Sequence, residues 1–319
     1  MQQAELEEDV RTLVEQAWDH EVKWTHIEAW LGNFNGRLIE AEEEKKYALL
    51  ALTRFMYFGK RLVREMLLSL YRDHFKTVVM QRLRRNHGGT KDLNLLNSAY
   101  KDELEATRFI GVGNPSESGA HLLYYFRQVN QLSKDLFSDI AGLVQPMHER
   151  NLFSTTIKFV PKSDTVRRYV FFDDLVGSGE QASRYLHPYI RDLRARNLGL
   201  DIRYLCLFAT TKGIKRLNQP SLFNGNAHCL FELDETYKAL QPGNRYFLGS
   251  PTWFNIETLR NLVLTYTRSF PHDPLGFGKC ELMLGFSHNT PDNTLPFFWY
   301  NGSNPAWSPA FLRFDKQYQ

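Results

Sequence analysis

A chain of 319 residues has room for a large core or two modules, and 43% hydrophobic with 24% charged residues is the make-up of a soluble globular protein. A net charge of +3 argues against a nucleic-acid footprint spread over the surface, so nucleic acid is not indicated as a partner. No run of about 18 apolar residues marks a membrane span, the acidic start MQQAELEEDV is unlike a secretory signal, and three widely separated cysteines (Cys206, Cys229 and Cys280) fit a reducing cytoplasm better than a disulfide or zinc framework.

Residues 1–105 are expected to form a helical N-terminal module. Val10, Leu13, Val14, Ala17 and Trp18 recur at helical spacing. "GRLIEAEEEKKYALLALTRFMYF" and "KRLVREMLLSLYRDHFKTVVMQRLRR" continue the pattern, and no proline occurs before residue 115. Arg82, Arg84 and Arg85 lie in a basic stretch, residues 72–91, that reads first as a solvated helix face and second as a phosphate or partner patch. A module of this kind is a natural place for a protein partner to dock.

The texture changes near residue 107. "TRFIGVG" is a short buried strand closed by glycines. "SGAHLLYYFRQVNQLSKDLF" is helical, residues 148–169 are a polar and poorly periodic connection, and "RRYVFFDD" is the next strand. A helix over "EQASRYLHPYIRDLRARN", strands at "DIRYLCLFAT" and "HCLFEL", a helix at "NIETLRNLVLTYTRSF" and a late strand at "CELMLGFS" follow. Strands alternating with helices predict an α/β domain over 106–319: a mostly parallel sheet flanked by helices, built with right-handed crossovers.

"FFDDLVGSGEQ" is the most informative stretch. In an open α/β sheet, ligands sit at the carboxyl ends of the strands. Asp173 and Asp174 stand at such an end. The glycines of Leu175-Val176-Gly177-Ser178-Gly179 let backbone approach a ligand. The helix opening near Glu180 and Gln181 offers free N–H groups to a phosphate. Two carboxylates beside a phosphate cradle suit neighbouring hydroxyls, or a metal ion that the ligand brings. The same residues fit a G-x-G-x-x-A dinucleotide fingerprint, although Asp201 begins the next strand where that pattern wants an acid at its end. A tight strand–helix turn capped by Ser178 is the bland alternative.

The stretch resembles the signature of phosphoribosyltransferases: an apolar strand, two acids, three variable residues, Ser or Thr, then Gly. The resemblance implies a Rossmann-like fold, phosphoribosyl diphosphate as substrate and Mg²⁺ as its companion, with no direct metal ligand in the chain beyond the neighbourhood of Asp173 and Asp174. It puts those acids on the ribose 2- and 3-hydroxyls and wraps residues 175–181 around the 5-phosphate. Glu180 departs from the pattern, placing a negative charge beside that phosphate, unless it pairs with Arg184 one turn on.

A second strand–glycine loop–helix precedes it, with Gly111 and Asp173 separated by 62 residues. By resemblance this loop grips the diphosphate, through Gly113, Asn114, Ser116, Ser118 and Gly119. The polar connection, with Lys158, Lys162, Arg167 and Arg168, corresponds to the family's mobile catalytic loop. Further on, Asn289-Thr290-Pro291-Asp292-Asn293-Thr294-Leu295-Pro296 with Trp299 resembles a turn in phosphoribosyltransferase-like effector domains of bacterial conflict and anti-phage systems. Asn289, Asn293 and Trp299 are therefore candidates for holding an acceptor base. The expected function is binding of phosphoribosyl diphosphate or a nucleotide with transfer or cleavage at ribose C1. The alternative is a catalytically silent sensing module whose helical N-terminus binds a protein.

Overall fold

The first hundred residues are largely helical, as their spacing predicts. In the computed structural model, which describes residues 2–113, 118–151, 154–196 and 199–314, helices α1 (Gln3–Gln16), α2 (Trp24–Leu31) and α3 (Ala41–Thr53) are followed by strand β1 (Met56–Phe58). Then come α4 (Lys60–Tyr71), a five-residue π turn (Arg72–Lys76), α5 (Thr77–Asn86) and α6 (Leu93–Glu105). The helix expected to run through "RFMYF" stops at Thr53. Met-Tyr-Phe is good strand material, and β1 has a parallel partner in β9 (Leu284–Phe286).

The chain folds as two compact units, one of residues 1–63 with 233–319 and one of residues 64–232. This division differs from the boundary expected at 105/106, and the reason is packing. Phe75 sits in the π turn fully buried, its ring 5.0 Å from Phe109 of the first sheet strand, and Tyr71 meets Phe126 at 5.7 Å. The apolar stripe of α4 and the π turn thus has its partners in the sheet unit.

In the first unit, the N-terminal helices share one core with the last eighty-odd residues. Trp30 is fully buried, donates from Nε1 to the Phe297 carbonyl at 2.9 Å and packs its ring on Phe298. Glu44 is fully buried too, and accepts N–H bonds from Gly36 at 2.8 Å and Leu38 at 2.7 Å and the Tyr266 hydroxyl at 2.5 Å. A buried carboxylate persists when its lone pairs are filled in this way. The predicted helix near 256 is α11 (Ile256–Thr267), and a short turn, α12 (Pro296–Trp299), closes the core.

The second unit carries the parallel sheet. Its strands are β2 (Thr107–Gly111), β3 (Phe137–Ser138), β6 (Arg168–Val176), β7 (Asp201–Thr210) and β8 (Ala227–Leu233), in the spatial order β3-β2-β6-β7-β8. The registers of β3 on β2, β2 on β6 and β6 on β7 are all parallel. Helix α7 (Ser118–Val129) connects β2 to β3, α9 (Glu180–Arg196) connects β6 to β7, and α10 (Thr211–Leu217) follows β7. Between β3 and β6 stand the four-residue α8 (Ile140–Leu143) and an antiparallel hairpin, β4 (Val144–Asn151) and β5 (Ser154–Pro161). The connection expected to be irregular is therefore largely sheet. Its alternation of polar and apolar residues is too weak to read as a strand, and the cross-strand ladder supplies the order.

Candidate functional site

The strand order reverses between β2 and β6. The chain moves from β2 outward to β3, then returns across β2 to build β6, β7 and β8. The carboxyl ends of β2 and β6 thus flank a topological switch point, where crossovers part and leave a crevice. Both glycine loops singled out from the sequence leave from this place. Val112 donates its N–H to the Phe172 carbonyl at 3.0 Å, and Tyr185 on α9 reaches the Gly113 carbonyl at 3.4 Å. Gly119 near the start of α7 has no room for a side chain, since a Cβ would stand 3.0 Å from the Phe172 oxygen and 2.9 Å from that of Val112.

The acids lie deeper than expected. β6 runs through Asp173 and Asp174 and ends at Val176, so Leu175 and Val176 are strand residues, paired with Phe208 and Ala209, and the turn proper is Gly177-Ser178-Gly179. The two acid side chains stay close enough to hydrogen-bond one another. Asp173 pairs in register with Cys206 and receives the hydroxyl of Tyr204, two residues earlier on β7, at 3.0 Å. It also accepts the Asp174 N–H at 3.0 Å, while Asp174, buried, accepts the Leu175 N–H at 2.7 Å. Burial, then the charge of Asp174, pushes the Asp173 carboxyl well above its ordinary range, against the opposing pull of the Tyr204 hydroxyl. The Tyr204 hydroxyl and the Cys206 thiol are both pushed up by burial first and by the acids beside them, and stay neutral.

The turn is locked from below. Gly179 has a φ of +69°, and Thr210 at the end of β7 donates to the Gly177 carbonyl at 2.6 Å while capping α10 through the Gly213 N–H at 3.0 Å. Gly213 lies directly against the turn, where a Cβ would collide with the carbonyl oxygens of Gly177 and Val176. Ser178 accepts the Glu180 N–H at 3.3 Å. Glu180 turns outward, exposed, with Arg184 at 2.8 Å and Arg216 at 3.8 Å. Gln181 is the exposed second residue of α9.

Two cavities border Gly113. One of about 330 Å³ is lined by Gly111, Leu123, Tyr124, Arg127, Ser138 and Asp139. The other, about 390 Å³, lies among Asp139, Phe159, Lys162, Tyr185 and Tyr189. Asn114 and Ser116 lie outside the described residues; Ser118 is the first residue of α7.

The remaining candidates fall on or beside the hairpin, at the start of β6 and in the other compact unit. Of the four cations expected in a mobile loop, Lys158 and Lys162 are on or beside the hairpin, bonded to Glu149 and to the Ala141 carbonyl. Arg167 and Arg168 are not in it: Arg168 begins β6, buried, at the opposite end of the strand from the acids, and pairs with Glu103 and Asp201; Arg167 also pairs with Glu103. Asn289, Asn293 and Trp299 belong to the other compact unit. Asn289 accepts the N–H groups of Thr290 and Phe314 at 3.0 Å, and Asn293 donates to the Phe277 carbonyl at 3.0 Å. Trp299 is 2% exposed and donates to the Thr294 carbonyl at 2.8 Å. A ring so enclosed has no face for an acceptor base, which corrects that expectation for Trp299, and the asparagines serve turn geometry.

A family model, PRTase-CE, matches residues 27–313 and so runs across both compact units. The chain belongs to the PRTase-CE family. Among solved structures, Helicobacter pylori xanthine-guanine-hypoxanthine phosphoribosyltransferase is similar at 11% identity, covering 57% of this chain and 86% of that one with a TM-score of 0.28. Aeropyrum pernix orotate phosphoribosyltransferase is similar at 14% identity over 44% and 77%, with a TM-score of 0.24. The purine phosphoribosyltransferase of Pyrococcus horikoshii Ot3 gives 11% identity over 50% and 81%, with a TM-score of 0.24. At these scores the family match carries the assignment. Comparison with curated proteins gave no match.

In this PRTase-CE chain the residues that sequence reading missed are Tyr204, Thr210, Gly213 and Tyr185. Thr210 and Gly213 carried a readable signal, a hydroxyl at a strand end with glycine three residues on. Tyr204 becomes visible only once the β6–β7 register is known. Among the described residues no three His, Cys, Asp or Glu side chains converge as a metal cage, and no helix is long and apolar enough to cross a membrane.

Proposed function

We propose that the chain binds a ligand carrying ribose 5-phosphate, either phosphoribosyl diphosphate or a nucleotide, at the carboxyl edge of β2 and β6, and transfers or cleaves it at ribose C1 with Mg²⁺. One observation carries this reading: the two glycine loops leave adjacent parallel strands at the switch point and are tied together by the Val112–Phe172 and Tyr185–Gly113 bonds. The amide groups at the start of α9 would take the 5-phosphate, helped by the helix dipole. Asp173 and Asp174 would take the ribose hydroxyls and oppose the positive charge that develops on the sugar. Mg²⁺ arriving on the diphosphate would neutralise the charge that grows on the leaving group. The outward turn of Glu180 toward Arg184 and Arg216 favours the reading, because it keeps that carboxylate off the phosphate.

Calorimetry with phosphoribosyl diphosphate and Mg²⁺ tests it. Binding is expected for the wild type and lost in Asp173→Asn/Asp174→Asn; no binding, or unchanged binding by the double variant, sinks the reading. The Asp173 carboxyl, raised by desolvation and by the charge of Asp174, favours a second reading, in which the site senses the ligand without turning it over, since a carboxyl that ionises less readily opposes a sugar cation less. Ligand binding with no diphosphate release across a panel of bases supports that version. The Asn289–Pro296 turn further supports, by resemblance, an effector role in bacterial anti-phage defence in the cytoplasm. Equal phage plating on cells carrying the wild type and the double variant would count against it.

A further inference from the structure

We propose that the outer edge of β8 is the contact through which two copies of this chain pair, antiparallel across a two-fold axis that passes through Leu230. β8 is the last strand of its sheet. The bonds at its start show which backbone groups point where. The Asn226 carbonyl accepts the Tyr204 N–H of β7 at 3.0 Å. Ala227 faces away from β7: its N–H and its carbonyl are both held at 2.9 Å by the side-chain amide of Asn218. Alternate residues of a parallel strand bond to the same neighbour, so Cys229 and Phe231 also turn their N–H and carbonyl groups outward. Sheet edges are ordinarily blunted by lysine, proline or a bulge. Residues 227–233, AHCLFEL, contain neither lysine nor proline, and the strand runs through all seven without a break. Asn218 caps this edge at its first residue.

The strand is complementary to itself. With Leu230 on the axis, Cys229 of each copy stands opposite Phe231 of the other as a hydrogen-bonded pair, and His228 stands opposite Glu232 twice. Side chains alternate along a strand, so His228, Leu230 and Glu232 share one face. The His228 ring lies 6.0 Å from that of His74, and burial, then His74 and Arg203, push it below its ordinary range. An incoming carboxylate therefore meets a neutral ring that can donate, with the Arg203 charge beside it. Glu232 is exposed and accepts the Thr211 hydroxyl at 2.6 Å, which holds it at the strand end where the second His228 would arrive. On the other face Phe231, 48% exposed, stacks on Phe208 at 5.4 Å and offers apolar surface to the second strand. A slip of one residue would set His228 against Phe231, so charge and burial specify the same register. Antiparallel pairing turns one sheet round against the other, and the two carboxyl-edge crevices then open in opposite directions.

Sedimentation velocity on the full chain tests this. A concentration-dependent dimer is expected between about 1 and 100 µM, since the contact is much smaller than a standard interface. Glu232→Lys sets a cation against His228 and Arg203 twice and should raise the dissociation constant about five- to thirtyfold, the effect of two cross-strand pairs. Phe231→Pro removes an outward N–H, a position where an edge strand tolerates proline, and should abolish the dimer. In a Cys229→Ser chain, Leu230→Cys should form an intermolecular disulfide under mild oxidation, because residues opposed on the axis have Cα atoms about 4.5 Å apart. Phe231→Cys in the same chain should not, since its two copies lie on a diagonal about 7–8 Å apart. A chain that is monomeric at about 100 µM overturns the proposal, whether the Cys229 and Phe231 amides then exchange freely or are shielded by another segment. A dimer left intact by both Glu232→Lys and Phe231→Pro overturns it too, as does a disulfide that forms at position 231 and not at 230.

Discussion

Strand β6 carries ionisable side chains at both ends, and the two ends are opposites. At its start Arg168, with Arg82, Arg167 and Arg203, surrounds two carboxylates, Glu103 and Asp201. Burial pushes Asp201 up, but Arg203 and Arg168 overcome it and bring the carboxyl down to about 2. At the other end Asp173 is raised, with a tyrosine hydroxyl as its side-chain donor and a second acid beside it. One end is a satisfied network that holds strands and helices in register. At the other no cation is among the described groups that shift Asp173, and a ligand bearing hydroxyls or a cation would suit it. Perturbed carboxyls mark both places, so it is the direction of the shift that separates structure from candidate function.

The satisfied end predicts the largest loss. Arg168 is buried, and removing one partner of a buried network leaves uncompensated charge, so Arg168→Met should lose about 3 kcal/mol in urea unfolding. The same network sets acid stability. A carboxyl near 2 in the fold and near 3.8 unfolded adds stability above about pH 4 that disappears as pH falls toward 2. A wild-type melting temperature flat between pH 4 and pH 2 would show the arginines doing less at Asp201 than their geometry implies.

Next in size is the packing under the turn. Gly213→Ala drives a methyl into the carbonyl oxygens of Gly177 and Val176, and overpacking of this kind costs about 1–3 kcal/mol. Because the displaced atoms belong to the turn proposed to hold the phosphate, binding of phosphoribosyl diphosphate should fall as well. A variant that loses stability but binds as before would detach this contact from the site.

The ligand-hungry end predicts a change of opposite sign. A carboxyl whose folded pKa is raised binds its proton more tightly in the fold, so stability falls as pH rises from about 3.8 through the folded value. Asp173→Asn removes that loss and still accepts the Tyr204 hydroxyl. It should gain about 1 kcal/mol at pH 7, the usual scale of relief at a functional site, and flatten the alkaline side of the stability profile. Destabilisation instead would assign Asp173 to the structural class of Asp201.

This contrast also explains what was legible in the sequence. The alternation of strands and helices from residue 107 is a local pattern and appears where its spacing placed it, whereas the acid pair sits inside the strand it was expected to end. The unit boundary was not legible, because residues 233–319 return to a core begun by residues 1–63, and nothing local records a partner that distant. The Asn289–Trp299 segment had the composition of a site, yet its amides and indole are satisfied by nearby carbonyls and N–H groups. Composition reports polar capacity; only the fold reports how much of it is already used. Tyr204 is the converse case, an ordinary strand tyrosine until the register sets it against Asp173.

Glu180 gives the smallest effect and the finest discrimination between the two ends. It is an exposed carboxylate at the mouth of the turn, paired with Arg184 one helical turn on and with Arg216. Exposed pairs of this kind contribute little, so Glu180→Gln should change stability by no more than about 0.5 kcal/mol. Its charge lies outside the crevice and is screened by salt over roughly 10 Å at 0.1 M. Affinity for phosphoribosyl diphosphate should therefore rise only a few-fold, and less at high salt. A salt-insensitive gain beyond about tenfold would mean that the carboxylate turns inward against the phosphate, and Glu180 would then join Asp173 among the groups that lack a cation of their own.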